Sequence, residues 1–142
     1  MMRCVPPDRI IESFLASARE AASALVLEGE AGIGKTTRWL LTLDEAQAGG
    51  FQVLSGRPGT SEVTLSYGVL SDLLAGVDAA TMDGLPDRQR LALDRILLRA
   101  TTDPTPTDER LAAAAVLTVV ERMAAEAPVL LAIDDVQWLD TP

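Results

Sequence analysis

Histidine is absent from this 142-residue chain and cysteine occurs once, at Cys4. Those two absences remove disulfide frameworks, Cys/His zinc sites and histidine-based catalytic triads together, and leave Cys4 as a bystander. Basic residues are also scarce, with 12 Lys and Arg against 21 Asp and Glu and a formal net charge of -9. A broad nucleic-acid or anionic-membrane surface needs clustered positive charge, so neither fits. No apolar run approaches the length of a membrane span, and Pro6, Pro7 and Asp8 stand where a signal peptide would need an apolar core. Cytoplasmic residence is the expectation. What remains is ordinary for one globular α/β unit, at 48% hydrophobic and 23% charged residues, without repeats, low-complexity tracts or flexible linkers.

The strongest positive signal is Gly29-Glu30-Ala31-Gly32-Ile33-Gly34-Lys35-Thr36, a complete match to the phosphate-binding pattern G-x-x-x-x-G-K-[ST]. Four fixed positions of this kind arise by chance in a chain of this length on the order of 1% of the time. The context sharpens the match. Ala24 to Leu27 read as a buried strand directly before the loop, and Lys35 to Ala46 read as a helix directly after it. Glycines let the backbone curl with its N–H groups inward, Lys35 adds positive charge, Thr36 offers a hydroxyl to Mg²⁺, and the helix start favours an anion. The bland alternative is a glycine-rich turn with no ligand.

A second signal is Val129-Leu130-Leu131-Ala132-Ile133 running into Asp134-Asp135, a Walker B pattern. Strands of a parallel sheet covered on both faces read as continuous apolar runs, and ligands gather at their carboxyl ends. Asp134 is then a candidate Mg²⁺ support and Asp135 a candidate to orient or deprotonate an attacking water. Alone the segment reads equally well as a strand followed by an acidic turn; the upstream loop tips the balance.

Between the two motifs the pattern alternates. Asp8 is a candidate cap for a helix with Ile10 or Ile11, Phe14, Leu15, Ala18 and Ala22 on one face. Gly49-Gly50 stop the loop helix, Phe51 to Ser55 read as a strand, and Gly56 to Glu62 as a loop. Ser66 is placed to cap a helix through Val69, Leu70, Leu73, Leu74 and Val77; Leu93, Ile96, Leu97 and Ala100 mark another after Pro86. Thr107 is placed to cap a long helix with Val116, Val119, Val120 and Met123 on one face, ended by Pro128. These stripes are core packing. Trp39 reads as core before adenine platform, Tyr67 stays open, and Arg38, Arg57 and Arg99 are arginine-finger candidates by charge alone, each more simply solvated or packed. Glu28 and Glu30 carry side chains expected to be structural or solvated.

The string Asp134-Asp135-Val136-Gln137-Trp138-Leu139-Asp140, together with the glycine loop, resembles the large ATP-binding LuxR-type transcriptional regulators. These belong to the signal-transduction ATPases with numerous domains, a branch related to AAA+ proteins. The likeness extends to Phe51–Ser55 with Arg57-Pro58, to Leu65-Ser66-Tyr67-Gly68 and to Leu73-Leu74, and so spans almost the whole chain. It implies a three-layer αβα P-loop NTPase fold with a parallel sheet, acting as an ATP switch coupled to an effector or to self-association, with DNA contacted through a helix-turn-helix elsewhere. Carried over by position, Gly29, Glu30, Ala31, Gly32, Ile33, Gly34, Lys35, Thr36 and Thr37 hold ATP; Thr36 and Asp134 serve Mg²⁺; Lys35 and Asp135 carry catalysis. No direct nucleic-acid or membrane contact is expected from residues 1–142.

Two departures qualify the resemblance. Many relatives show a Gly-Arg-Glu type box ahead of the first helix, where this chain reads Val5-Pro6-Pro7-Asp8-Arg9, so no adenine-side contact is assigned. The sequence also stops at Pro142, just past Walker B. Residues 1–142 are therefore expected to be a partial domain, lacking the strand that in this branch lies between the loop strand and the Walker B strand, and to be poorly stable with little or no turnover. Two other classes stay open: a P-loop small-molecule kinase, disfavoured by the late Asp-Asp pair and by the absence of a lid pattern, and a non-catalytic gene fragment.

Overall fold

The computed structural model describes residues 7–58, 68–99 and 108–136. Cys4, Ser66, Tyr67, Ala100, Thr107 and the Gln137-Trp138 tail lie outside the described residues, as do the side chains of Asp8 and Arg99. The chain forms two compact units, Met1–Phe51 and Gln52–Pro142.

The first unit contains α1 (Pro7–Glu20), the glycine loop and α2 (Lys35–Ala48). Pro7 opens α1, where its missing N–H costs nothing. Ile11 and Leu15 are the members of the expected apolar face that become buried, while Ile10 stays 44% exposed. Gly49 and Gly50 end α2 as expected: the Gly49 N–H donates to Glu45 O at 2.8 Å and the Gly50 N–H to Gln47 O at 3.0 Å. Arg19 closes the unit by donating to Gly49 O and lying 4.8 Å from the centre of the Phe51 ring, a cation–π contact over a buried aromatic.

Ala24 to Leu27, expected as a buried strand, belong to no strand, and Val26 is 74% exposed. A strand exists only as part of a hydrogen-bonded ladder, and no described segment pairs with this one. Apolar composition alone cannot supply that partner.

The second unit holds β1 (Gln52–Gly56), α3 (Gly68–Leu74), α4 (Ala79–Asp83), α5 (Asp87–Arg99), α6 (Glu109–Glu126) and β2 (Val129–Ile133). Among the described residues the sheet is the parallel pair β1-β2, with Gln52 opposite Val129 and Gly56 opposite Ile133. That is the expected parallel arrangement with two strands only. The Asp134 N–H donates to Gly56 O at 3.2 Å, which carries the ladder one step past β2.

Helices pack on this sheet around a core built on Leu54, Leu74, Leu85, Leu93, Ala115, Val119 and Met123, with a second buried cluster of Ala92, Ile96 and Ala112. The expected cover on both faces of the strands is incomplete among the described residues, because Leu131 of β2 is 50% exposed. Leu93 and Ile96 are sealed from solvent, so the stripe read in α5 faces inward. On α6 the buried face is Ala112, Ala115, Val119 and Met123, so Val119 and Met123 of the expected stripe are buried while Val116 and Val120 stay half-buried. At the start of α6 the cap is Asp108, where Thr107 was expected: its carboxylate accepts from the Arg110 N–H at 3.1 Å and the Leu111 N–H at 3.3 Å. The helix expected to run through Val77 stops at Leu74, and Asp78 instead caps the short α4, accepting from the Ala80 N–H. Arg122 on α6 ties that segment down by donating to Thr81 O at 3.0 Å and to Gly84 O. On the surface of α5, Arg90 bonds Asp83 at 2.7 Å and Asp94 at 3.2 Å, and these carboxylates, Asp83 first, hold its guanidinium pKa above the ordinary value.

Candidate nucleotide-binding site

The loop from Gly29 to Gly34 turns on two left-handed glycines, Gly32 at φ 81° and Gly34 at φ 95°. A side chain at either position would be strained whatever room surrounds it. The turn is fastened by the Ile33 N–H donating to Glu30 O at 3.3 Å. Gly34 then occupies the N-cap of α2 without a capping side chain, and the first turn of α2, Lys35-Thr36-Thr37-Arg38, contains no acid. The first intrahelical bond runs from the Arg38 N–H to Gly34 O at 3.1 Å. The amides ahead of it, at the positive end of a 14-residue helix, suit an anion.

Lys35 folds back over the loop and donates through Nζ to Gly29 O at 2.8 Å and Glu30 O at 3.0 Å. Its ammonium thus sits inside the curl of its own loop, held by carbonyls that bind more weakly than a phosphate would, because a carbonyl carries no net charge. Thr36 is half-buried and Thr37 exposed; the Glu30, Ala31 and Ile33 side chains point to solvent, so these three residues offer backbone. Trp39, expected in the core, is half-buried, and Arg38 is exposed.

In the second unit, Asp134 follows β2 with its side chain only 8% exposed. Its Oδ1 accepts the Asp135 N–H at 3.0 Å, and its Oδ2 makes no aligned hydrogen bond but lies 3.2 Å from Arg57 Nη2. Asp135 has φ 52°, the one positive φ at a non-glycine position among the described residues. Such a conformation costs an L-residue about 1 kcal/mol, though Asp tolerates it better than most. The chain therefore turns sharply at the end of β2.

A buried carboxylate oxygen without an aligned hydrogen bond suits a hard cation such as Mg²⁺, which takes oxygen ligands. Among the described residues no group of three or more His, Cys, Asp or Glu could hold a metal by itself. In nucleotide sites Mg²⁺ generally keeps its waters and leans on one or two carboxylates plus substrate phosphates. A groove of about 430 Å³ beside α6, lined by Ile96, Val116 and Leu131 and with Glu109 as its charged residue, is mainly apolar. A second concavity of about 530 Å³ is polar, lined by Gln52, Asp78, Thr81, Arg122 and Glu126, and includes neither the glycine loop nor Asp134.

Arg57, a candidate arginine finger by charge alone and more simply expected to be solvated or packed, instead approaches Asp134. Its charge gave no direction, and only the β1-β2 register brings it to Asp134.

Residues 8–142 match the AAA ATPase domain family, and the chain belongs to it. The chain is thus a nucleotide-binding module of the P-loop type, a class whose members generally bind ATP with Mg²⁺. Comparison with curated proteins and with solved structures returned no match. Among the described residues no helix is long and apolar enough to cross a membrane.

Proposed function

We propose that this chain is the ATP-binding switch of a large ATP-binding LuxR-type transcriptional regulator, with slow hydrolysis at most. The observation that carries the nucleotide part is the glycine loop, with two left-handed glycines, an uncapped and acid-free helix start, and a lysine that donates to the neutral carbonyls of Gly29 and Glu30. The regulator part draws support from the Asp134-Asp135-Val136-Gln137-Trp138 string and from membership of the AAA ATPase domain family. A net charge of -9 leaves DNA contact to another part of such a regulator.

In this reading Lys35 and the backbone of Gly29, Glu30, Ala31, Gly32, Ile33 and Gly34 bind the phosphates. Thr36 supplies a metal-directed hydroxyl, Thr37 an additional phosphate contact, and Asp134 a carboxylate to the metal's water shell. Mg²⁺ held there would neutralise charge on the phosphates. Asp135 orients the attacking water and accepts its proton.

Substitution separates the two roles. Asp135→Asn keeps a side chain that tolerates the left-handed backbone and removes the charge; it is expected to spare ATP binding and abolish phosphate release. Lys35→Ala is expected to abolish binding itself. Equal loss of binding in both variants, read by a fluorescent ATP analogue, would reject this division of labour. An ATP-dependent change in self-association, followed by light scattering on the full regulator, tests the switch.

A further inference from the structure

The Arg57–Asp134 contact follows from the sheet itself. β1 and β2 are parallel and in register up to Gly56 opposite Ile133, so the next residues outward on the two strands are Arg57 and Asp134. The Asp134 N–H bond to Gly56 O fixes that step, and the buried Pro58 favours an extended backbone at Arg57. The two side chains are unequal in their surroundings. Arg57 is 54% exposed and Asp134 8%. A buried carboxylate is costly without a counter-charge.

We infer that Arg57 is a positioning residue that acts as a replaceable counter-ion for Asp134, holding the carboxylate until a divalent cation takes its place. The inference rests on the reading of Asp134 as a metal support. Two details favour exchange over a permanent structural pair. The 3.2 Å approach to Oδ2 lacks the alignment of a hydrogen bond, so that oxygen keeps its acceptor capacity. The other oxygen, Oδ1, is anchored to the Asp135 N–H, which fixes the carboxylate in place whether or not Arg57 is present. Arg57 thereby competes with a lone cation, and the site favours a cation that arrives with phosphates over a free one.

The test reads metal binding without nucleotide, using Mn²⁺ as the probe and the loss of its free-ion paramagnetic resonance signal as the measure. Removing a positive charge in contact with the carboxylate is expected to tighten Mn²⁺ binding by about tenfold in Arg57→Gln, a moderate figure because the pair is half in water. Arg57→Lys, which restores the charge, is expected to return affinity close to the parent value. Adding Asp134→Asn to Arg57→Gln is expected to erase the gain. Equal Mn²⁺ affinity in the parent chain and Arg57→Gln, with unchanged circular dichroism, would overturn the inference. So would an Arg57→Gln chain that fails to fold while Arg57→Lys folds, since that assigns Arg57 to structure alone. The readout is independent of Lys35. Failure of ATP to bind, with the Mn²⁺ series as expected, would count against the nucleotide reading and leave the counter-ion role standing.

Discussion

The two compact units of this chain carry its two motifs in opposite ways. In Met1–Phe51 the glycine loop takes its shape from local backbone chemistry: left-handed glycines, a short turn and a helix start. Packing around it is thin, with Val26, Ile33, Leu40 and Leu41 exposed. In Gln52–Pro142 the acidic pair depends on tertiary structure, because Asp134 is placed by a ladder between strands more than 70 residues apart and by the helices that cover them. A motif made of backbone conformation survives with little core around it. A motif made of a strand end needs the core first.

The largest effect that would break this contrast is loss of the core in the second unit. Leu93→Ala empties a fully buried site and is expected to destabilise by about 2–5 kcal/mol, whereas Val26→Ala, at an exposed position of the first unit, is expected to stay within about 0.5 kcal/mol. Urea denaturation of both variants checks this; similar losses would mean that the first unit hides a core of its own. Next in size is Gly34→Ala. A Cβ there meets no neighbour, yet φ 95° strains it by about 1–2 kcal/mol, so ATP affinity is expected to fall while the unfolding of the second unit is unchanged. Smallest is Asp108→Ala, which removes the cap of α6 and is expected to cost about 1 kcal/mol of stability without touching ATP affinity. A change in affinity there would tie the helix cap to the nucleotide site and blur the contrast.

Legibility in the sequence follows the same division. The loop and α2 were readable because glycines at fixed spacing state their own backbone geometry, and α5 and α6 because a 3.6-residue stripe needs only one apolar partner surface. β2 was readable as an apolar run after a helix stop and β1 as a strand after Gly49-Gly50, although β1 lies one residue later than expected, at Gln52–Gly56. Ala24 to Leu27 made the same kind of run and formed no strand, since composition does not reveal whether a neighbour exists. The break between α3 and α4 was missed because Val77 continues the apolar spacing past Leu74, while Asp78 draws the chain into a new cap. The Arg57–Asp134 contact was hidden for a different reason: an ion pair across two strands is invisible until their order and register are known.

Calorimetric titration of the purified chain with Mg²⁺-ATP, run beside Lys35→Ala, addresses whether the loop is a working nucleotide site. Saturable binding to the parent chain, lost by at least about 100-fold in the variant, is the expected result, since a charge-assisted phosphate contact and the site's main positive group disappear together. No binding to the parent chain, or equal binding by both, would contradict it.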